Sequence, residues 1–159
     1  MNLQLLGGFF VSAIMKTKVN ITNKKVRFEY EILRTETAGI MLMGSEVKSI
    51  KEGKVSLSES YCTFLNGELI LKNANITEMS SAFTHKSTQD RKLLLKKVEL
   101  DRFKKELVKG LTIVPYRIFE NERGMIKVEI VLGRGKKLHD KRETIKNRDI
   151  QKEMGRMLK

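Results

Sequence analysis

The rhythm of apolar and polar positions changes several times along the chain, and each change marks an element. From Val26, apolar Val26, Phe28, Tyr30 and Ile32 alternate with Arg27, Glu29, Glu31 and Leu33. That period of two predicts a half-buried strand. It continues through "AGIMLM", where Gly39 predicts a bulge or bend in a curved sheet. "GSEVKSIKEG" predicts a short helix with Ser45 as cap, Glu46 in the first turn, Val47 and Ile50 on one face, and Gly53 as the stop. "SYCTFLNGELILK" places Asn66-Gly67 between two apolar runs, a strong short hairpin signal. "ITEMSSAFTHKSTQ" is polar and irregular and reads as a loop. "DRKLLLKKVELDRFKKELVKG" has helical period: Leu93, Leu100, Phe103 and Leu107 form one stripe, with Leu94 and Val98 beside it. Lys104, Lys105 and Lys109 crowd its end, where they complement the helix dipole, and Gly110 is a stop. "LTIVPYRIFENERGMIKVEIVL" predicts a longer hairpin turning at "ENERG". Its Pro115, the one proline of the chain, suits an edge or a bulge.

The order is strand, helix, hairpin, helix, hairpin. Hairpin connections too short for crossovers exclude a parallel α/β sheet. The expected fold is mainly β: an antiparallel, partly open β-barrel of the oligonucleotide-binding type, with appended α-helices. The barrel is assigned to residues 23–132 and a basic C-terminal tail to residues 133–159. Residues 1–14, "MNLQLLGGFFVSAI", are apolar but too short to span a bilayer. Lys16 and Lys18 follow this run, whereas a secretory signal has its cations first. The stretch is read as an extension upstream of a start at Met15, with a disordered or weakly docked arm as the alternative.

Charge sharpens the functional class. The chain carries 32 basic and 19 acidic residues, a formal charge of +13. Residues 133–159 hold 10 and 4 of these, leaving 22 and 15 for the rest. Body and tail are both basic, which points to a polyanion, either nucleic acid or an anionic membrane surface. Solubility alone needs about 2–8 units. Cys62 is the one cysteine, so no intrachain disulfide forms. With His85 and His139 it falls short of a four-ligand Cys–His metal site. A reducing cytoplasm fits this cysteine usage.

The tail opens with "GRGKK", whose glycines permit close backbone approach to phosphate while its cations supply charge. Asp140 and Glu143 have capping-box spacing, so a helix should start near Lys141. Ile150, Met154, Met157 and Leu158 form a narrow stripe. Pairs such as Glu143–Lys146 contribute a few tenths of a kcal/mol each, too little to hold a roughly 19-residue helix in water. The tail is expected to be disordered alone and helical against RNA. A helix docked on the barrel by that stripe is the alternative.

Catalytic constellations do not stand out. His85 lies in a polar loop and His139 in a basic tail, both read as surface residues. Ser56, Ser58 and Ser60 alternate and read as solvent-facing. The carboxylates sit beside Lys or Arg and read as surface ion pairs. There is no P-loop and no GxGxxG. No enzyme activity and no cofactor are expected.

"NKKVRFEYEI", "AGIMLMGSEVKSIKEGKVSLSESY", "NGELILKNANI", "RKLLLKKVELDRF" and "GRGKKLHDKRETIKNRD" resemble, in that order, the small protein B family, the tmRNA-binding (SsrA-binding) proteins of bacterial trans-translation. The resemblance runs from about Asn23 to the C-terminus. It implies binding to the tRNA-like domain of tmRNA and entry with it into stalled ribosomes. There the barrel would replace an anticodon arm, and the tail would become helical in the empty mRNA channel beside small-subunit rRNA. Alanyl-tRNA synthetase and elongation factor Tu would act on the same RNA complex. No membrane partner is implied, and a monomer is expected.

The resemblance also implies residue roles. Asn23, Lys24 and Arg27 would meet RNA backbone. Glu46 and Lys48 match positions near the RNA face, with Glu46 orienting a cation or accepting from a base. Arg91 and Lys92 would contact phosphate. Leu94 would lie at the RNA surface, though its stripe also allows a core role. Lys127 would face RNA, and Arg134, Lys136 and Lys137 would continue that patch into the tail. His139 would stack on a ribosomal RNA base. Asp140, Lys141, Arg142, Ile145 and Lys146 would serve ribosomal accommodation. Thr37 stands where the family often has Glu, which removes an expected contact. Ser45 replaces the usual Thr or Trp while keeping the capping role. The end, "IQKEMGRMLK", matches loosely, and Gly155 weakens a helix by about 1 kcal/mol relative to Ala. The apolar leader has no counterpart in the family. A structural ribosomal protein with a basic extension is the competing reading.

Overall fold

The computed structural model describes residues 18–80 and 83–157, with the backbone alone for residues 138–141. The leader at residues 1–14 lies outside the described residues.

In chain order the elements are β1 (Asn20–Thr22), α1 (Lys25–Glu29), β2 (Tyr30–Ile40), α2 (Gly44–Lys51), β3 (Val55–Ser56), β4 (Tyr61–Leu65), β5 (Glu68–Lys72), β6 (Asn75–Ile76), β7 (Arg91–Leu94), α3 (Lys97–Glu106), β8 (Leu111–Glu120), β9 (Ile126–Gly135) and α4 (Leu138–Met157). Seven strands form one sheet in the order β1-β8-β4-β5-β7-β2-β9, and β9 also pairs back to β8. The ladder therefore returns on itself. β3 and β6 form a separate pair. All the pairings are antiparallel. Among the described residues, no helix is long and apolar enough to cross a membrane.

Alternation builds the core. In β9, Ile126, Val128 and Ile130 point inward and are buried, while Lys127 and Glu129 point out. They join Ala38 of β2, Leu69 and Leu71 of β5, Leu93 of β7, Phe103 of α3 and Ile50 of α2 in one apolar cluster. The Asn66-Gly67 turn connects β4 and β5 with both residues at positive φ (51° and 80°), as its two-residue hairpin requires. The β8–β9 register shifts between Pro115 and Arg117, so the proline sits at a bulge as expected.

Several sequence expectations need correction. Residues 25–29 are helix, not strand. Val26 and Tyr30 are four apart, a spacing that satisfies both periods, and Val26 is buried against Val114 and Val131. Residues 91–94 are strand, not the first turns of a helix. β7 fits between β5 and β2, with Leu69 opposite Leu93 and Gly39 opposite Leu94. Leu93 is buried and Leu94 exposed, a strand alternation that the run of leucines conceals. The helix begins only at Lys97, where the Lys96 N–H donates to Glu99 Oε2 at 2.9 Å. The register shift in β2 lies between Ile32 and Arg34, not at Gly39. Ser45 is not the cap of α2. Met43 takes that position and its N–H donates to Glu46 Oε2 at 2.8 Å.

Three polar side chains read as surface groups are buried. Ser60 donates to the Leu57 carbonyl. His85 spans Ser45 Oγ (2.8 Å from Nδ1) and the Ile76 carbonyl oxygen (2.9 Å from Nε2). The carbonyl can only accept, so Nε2 carries the hydrogen and Nδ1 accepts from Ser45. Glu46 is only 1% exposed and pairs with Arg91, which is 2% exposed. Arg91 Nε donates to Glu46 Oε1 at 2.6 Å, Nη1 to the Ala74 carbonyl at 2.7 Å, and Nη2 to the carbonyls of Lys86 and Ser87. Removing one partner of such a pair strands a buried charge, which costs about 3–5 kcal/mol. Glu46→Ala should lose that much stability in a urea titration. An exposed control, Glu52→Ala, should lose less than about 1 kcal/mol.

Candidate nucleic-acid interface

Cations stand at the surface at both ends of β2. At its start, the short helix α1 turns directly into the strand. Lys24 and Arg27 are exposed there. The Arg27 guanidinium lies 5.3 Å from the centroid of the Tyr116 ring, in a cation–π contact. The last residues of β9 run alongside, with Glu31 opposite Arg134 and Tyr30 opposite Gly135. A Cβ at Gly133 would stand 3.0 Å from Tyr30 Cβ, so a larger residue there would push on the tyrosine. Burial, aided by the charges of Glu29 and Glu59, raises the Tyr30 phenol above its ordinary pKa. It remains a neutral hydroxyl at physiological pH.

Lys136 ties this end together. Its N–H donates to the Glu29 carbonyl at 2.8 Å. Its Nζ donates to the Arg27 carbonyl at 3.1 Å and to Thr144 Oγ1 of α4 at 2.9 Å. A groove of about 550 Å³ separates α1 from α4, lined by Arg27, Tyr30, Ile32, Thr144, Arg148 and Gln151 among others. The Lys136–Thr144 bond is thus a polar tie between α4 and the body. The helix's apolar stripe of Ile150, Met154 and Met157 is exposed, so the stripe does not dock the helix.

At the far end of β2, Gly39 has two partners, Leu94 on β7 and Lys127 on β9. Neighbours Ala38, Leu93 and Val128 are buried, so Leu94, Gly39 and Lys127 form a row on the outer face. Lys92 donates to Glu68 Oε1 at 2.6 Å, and Lys48 stands exposed on α2. Tyr30 and Gly39 are nine residues apart, roughly 30 Å along a strand at about 3.3 Å per residue. Lys127 and Arg134 are likewise separated by roughly 23 Å along β9. Lys127 and the Arg134–Lys137 stretch therefore stand as two groups of cations toward opposite ends of β9.

A family model described as "SmpB protein" matches residues 20–159. The chain belongs to the SmpB family. An "SsrA-binding protein" of Christiangramia forsetii is 48% identical over 148 residues, 91% of this chain and 94% of that one. One from Cytophaga hutchinsonii is 51% identical over 142 residues, 87% and 93% of the two chains. A solved chain described as "tmRNA-SmpB: a journey to the center of the bacterial ribosome" is 46% identical, covers 76% of this chain and 86% of its own, and matches with a TM-score of 0.65.

The SmpB-derived assignments divide accordingly. Lys24, Arg27, Lys48, Lys127, Arg134 and Lys137 present cations outward or at the surface. Leu94 is exposed at 47%, which settles its place in favour of the outer face. Arg142, Ile145 and Lys146 are exposed on α4, while the side chains of His139, Asp140 and Lys141 lie outside the described residues. Arg91 is corrected: it is 2% exposed and four of its five N–H donors are engaged inside the protein, so it is not placed to meet phosphate. Glu46 does orient a cation, and that cation is Arg91. Asn23 is an internal tie, its Nδ2 donating to the Leu57 carbonyl at 3.1 Å and its N–H to the Tyr116 carbonyl at 2.7 Å. Sequence reasoning missed Tyr116, Thr144 and Arg148, which join the patches only through strand register and helix placement. If Lys127 and Arg134 contact phosphates, Lys127→Ala and Arg134→Ala should each lower the log–log salt slope of RNA binding by about 1. Arg91→Met should instead lower stability and leave the slope unchanged in the same titration.

Proposed function

We propose that this chain is the tmRNA-binding adaptor of trans-translation. It binds the tRNA-like domain of tmRNA and accompanies it into stalled ribosomes, where it stands in for an anticodon arm. Family membership over residues 20–159 carries the reading. The names of the relatives and the ribosomal setting of the matched structure support it. On this reading the self-closing sheet is an oligonucleotide-binding-type barrel, the protein is a binding module with no reaction of its own, and it works in the cytoplasm. Alanyl-tRNA synthetase and elongation factor Tu meet it through the shared RNA.

The two cationic patches face different lengths of RNA. The Lys48–Lys127 end and the Lys24–Arg27–Arg134 end are too far apart for one phosphate run of a few nucleotides. Helix α4, with Arg142 and Lys146 outward and the sequence "HDKR" in its first turns, is the ribosomal module. In the free protein the helix frays, and against small-subunit rRNA it forms fully.

The boundary between modules is best drawn after Lys137. Strand β9 runs to Gly135, so a chain ending at Leu132 would cut the ladder opposite Ile32 and Glu31. A chain ending at Lys137 should bind the tRNA-like domain within about threefold of the full chain in a gel-shift titration, since the cations before α4 are kept. It should fail to support tagging in a reconstituted translation reaction. Replacing Asp140, Lys141 and Arg142 together should give the same split. Equal loss of RNA affinity and tagging would sink the two-module assignment.

A further inference from the structure

We propose that Met43, at the cap of α2, is a reversible oxidation site. A hydroperoxide converts its thioether to the sulfoxide, and the new oxygen accepts a hydrogen bond from Gln89. That bond ties the loop between β6 and β7 to α2. The site does not depend on the RNA reading.

The groups around the sulfur form a closed ring. The Met43 N–H donates to Glu46 Oε2 at 2.8 Å. Gln89 Nε2 donates to Glu46 Oε1 at 2.8 Å and stands 3.8 Å from Met43 Sδ. A carboxylate only accepts, so the amide nitrogen of Gln89 is the atom that faces Glu46. Its second N–H is left for the sulfur. A thioether is a weak acceptor, so this donor is the least well used in a group of otherwise strong bonds. Met43 is 46% exposed, open to a small oxidant. Met41 and Met125 are exposed too, at 56% and 53%. Among the described residues, however, only the sulfur of Met43 accepts a hydrogen bond.

The spacing suits the oxidised side chain. A sulfoxide oxygen lies about 1.5 Å from its sulfur, so at an angle of about 120° an N–H···O bond of about 2.8 Å spans about 3.8 Å from nitrogen to sulfur. The Gln89 Nε2 to Met43 Sδ separation has that length. With hydrogen peroxide, a sulfur lone pair attacks one peroxide oxygen and the O–O bond breaks. The proton on the attacked oxygen joins the departing hydroxide, which leaves as water. Sulfur loses two electrons and the peroxide gains them. A methionine sulfoxide reductase, drawing on a thiol, reverses the step. Sulfoxide formation ordinarily disrupts packing. At Met43 it supplies a strong acceptor to a donor already in place.

The full-length protein and its Met43→Leu variant are each compared before and after treatment with hydrogen peroxide, with the sulfoxides located by peptide mass spectrometry. Met43 should oxidise in the folded wild type. Amide exchange over residues 43–47 and 84–90 should then slow by roughly 2- to 12-fold, the effect of one net hydrogen bond on local opening. The treated Met43→Leu protein, oxidised at its other methionines, should show no slowing there. A Met43 that stays reduced while Met41 oxidises would overturn the site. Unchanged or faster exchange in the oxidised wild type would overturn the bond to Gln89. Slowing that persists in Met43→Leu would also overturn it, because another methionine would then be responsible.

Discussion

The structure is organised around one buried guanidinium. Arg91 lies at the start of β7 and donates to three separate parts of the chain: Glu46 on α2, the Ala74 carbonyl before β6, and the Lys86 and Ser87 carbonyls of the long loop. Glu46 in turn accepts from Gln89 Nε2 at 2.8 Å and from the Met43 N–H at 2.8 Å. No buried side-chain nitrogen or oxygen among the described residues is left without a partner. This matters because desolvating two charges costs several kcal/mol per ion, and only full satisfaction of their remaining bonds offsets it. The network does more to fix arrangement than to add stability. A hydrophobic pair of similar volume could fill the space, but it would not set the rotation of α2 on the sheet. That rotation places Val47 beside the Leu94–Gly39–Lys127 row.

His85 extends the same constraint. With Nε2 on the Ile76 carbonyl and Nδ1 on Ser45, it binds the loop to the first turn of α2. The loop is irregular in sequence yet tied at both stems, with Ser87 donating to Glu78 at 3.0 Å and its carbonyl accepting from Ile76 at 2.9 Å. Irregular chain can be well determined when its backbone groups are used up by side chains of the core.

Much of this was legible in the sequence. The mainly antiparallel layout, the Asn66-Gly67 hairpin, the final hairpin with its bulge at Pro115 and the inward side of β9 follow from local period and turn chemistry, which short-range patterns record. What failed did so where two periods coincide or where a partner is distant. Val26 and Tyr30 satisfy both a strand and a single helical turn. "RKLLLKK" carries as many leucines as a helix face, and only the gap between β5 and β2 makes it a strand. Arg91 looked like a phosphate ligand because nothing in its neighbourhood shows that Glu46, 45 residues away, completes it. The site was legible as a set of cations but not as two patches, because their separation is set by the register of β2 against β9.

That separation constrains how the two ends can work together. A β-ladder transmits little over roughly 30 Å unless it has two arrangements, and the sheet here closes on itself. Coupling between RNA capture and the tail is better sought at Lys136. Its ammonium is shared between the α1 carbonyl of Arg27 and Thr144 of α4, and it lies in the same patch as Arg27 and Arg134. An ammonium carries three N–H donors, and these two contacts use two of them. The same lysine can therefore hold α4 to α1 and still present its third donor to an anion, so joining the tail to the body and meeting a polyanion are compatible at this end.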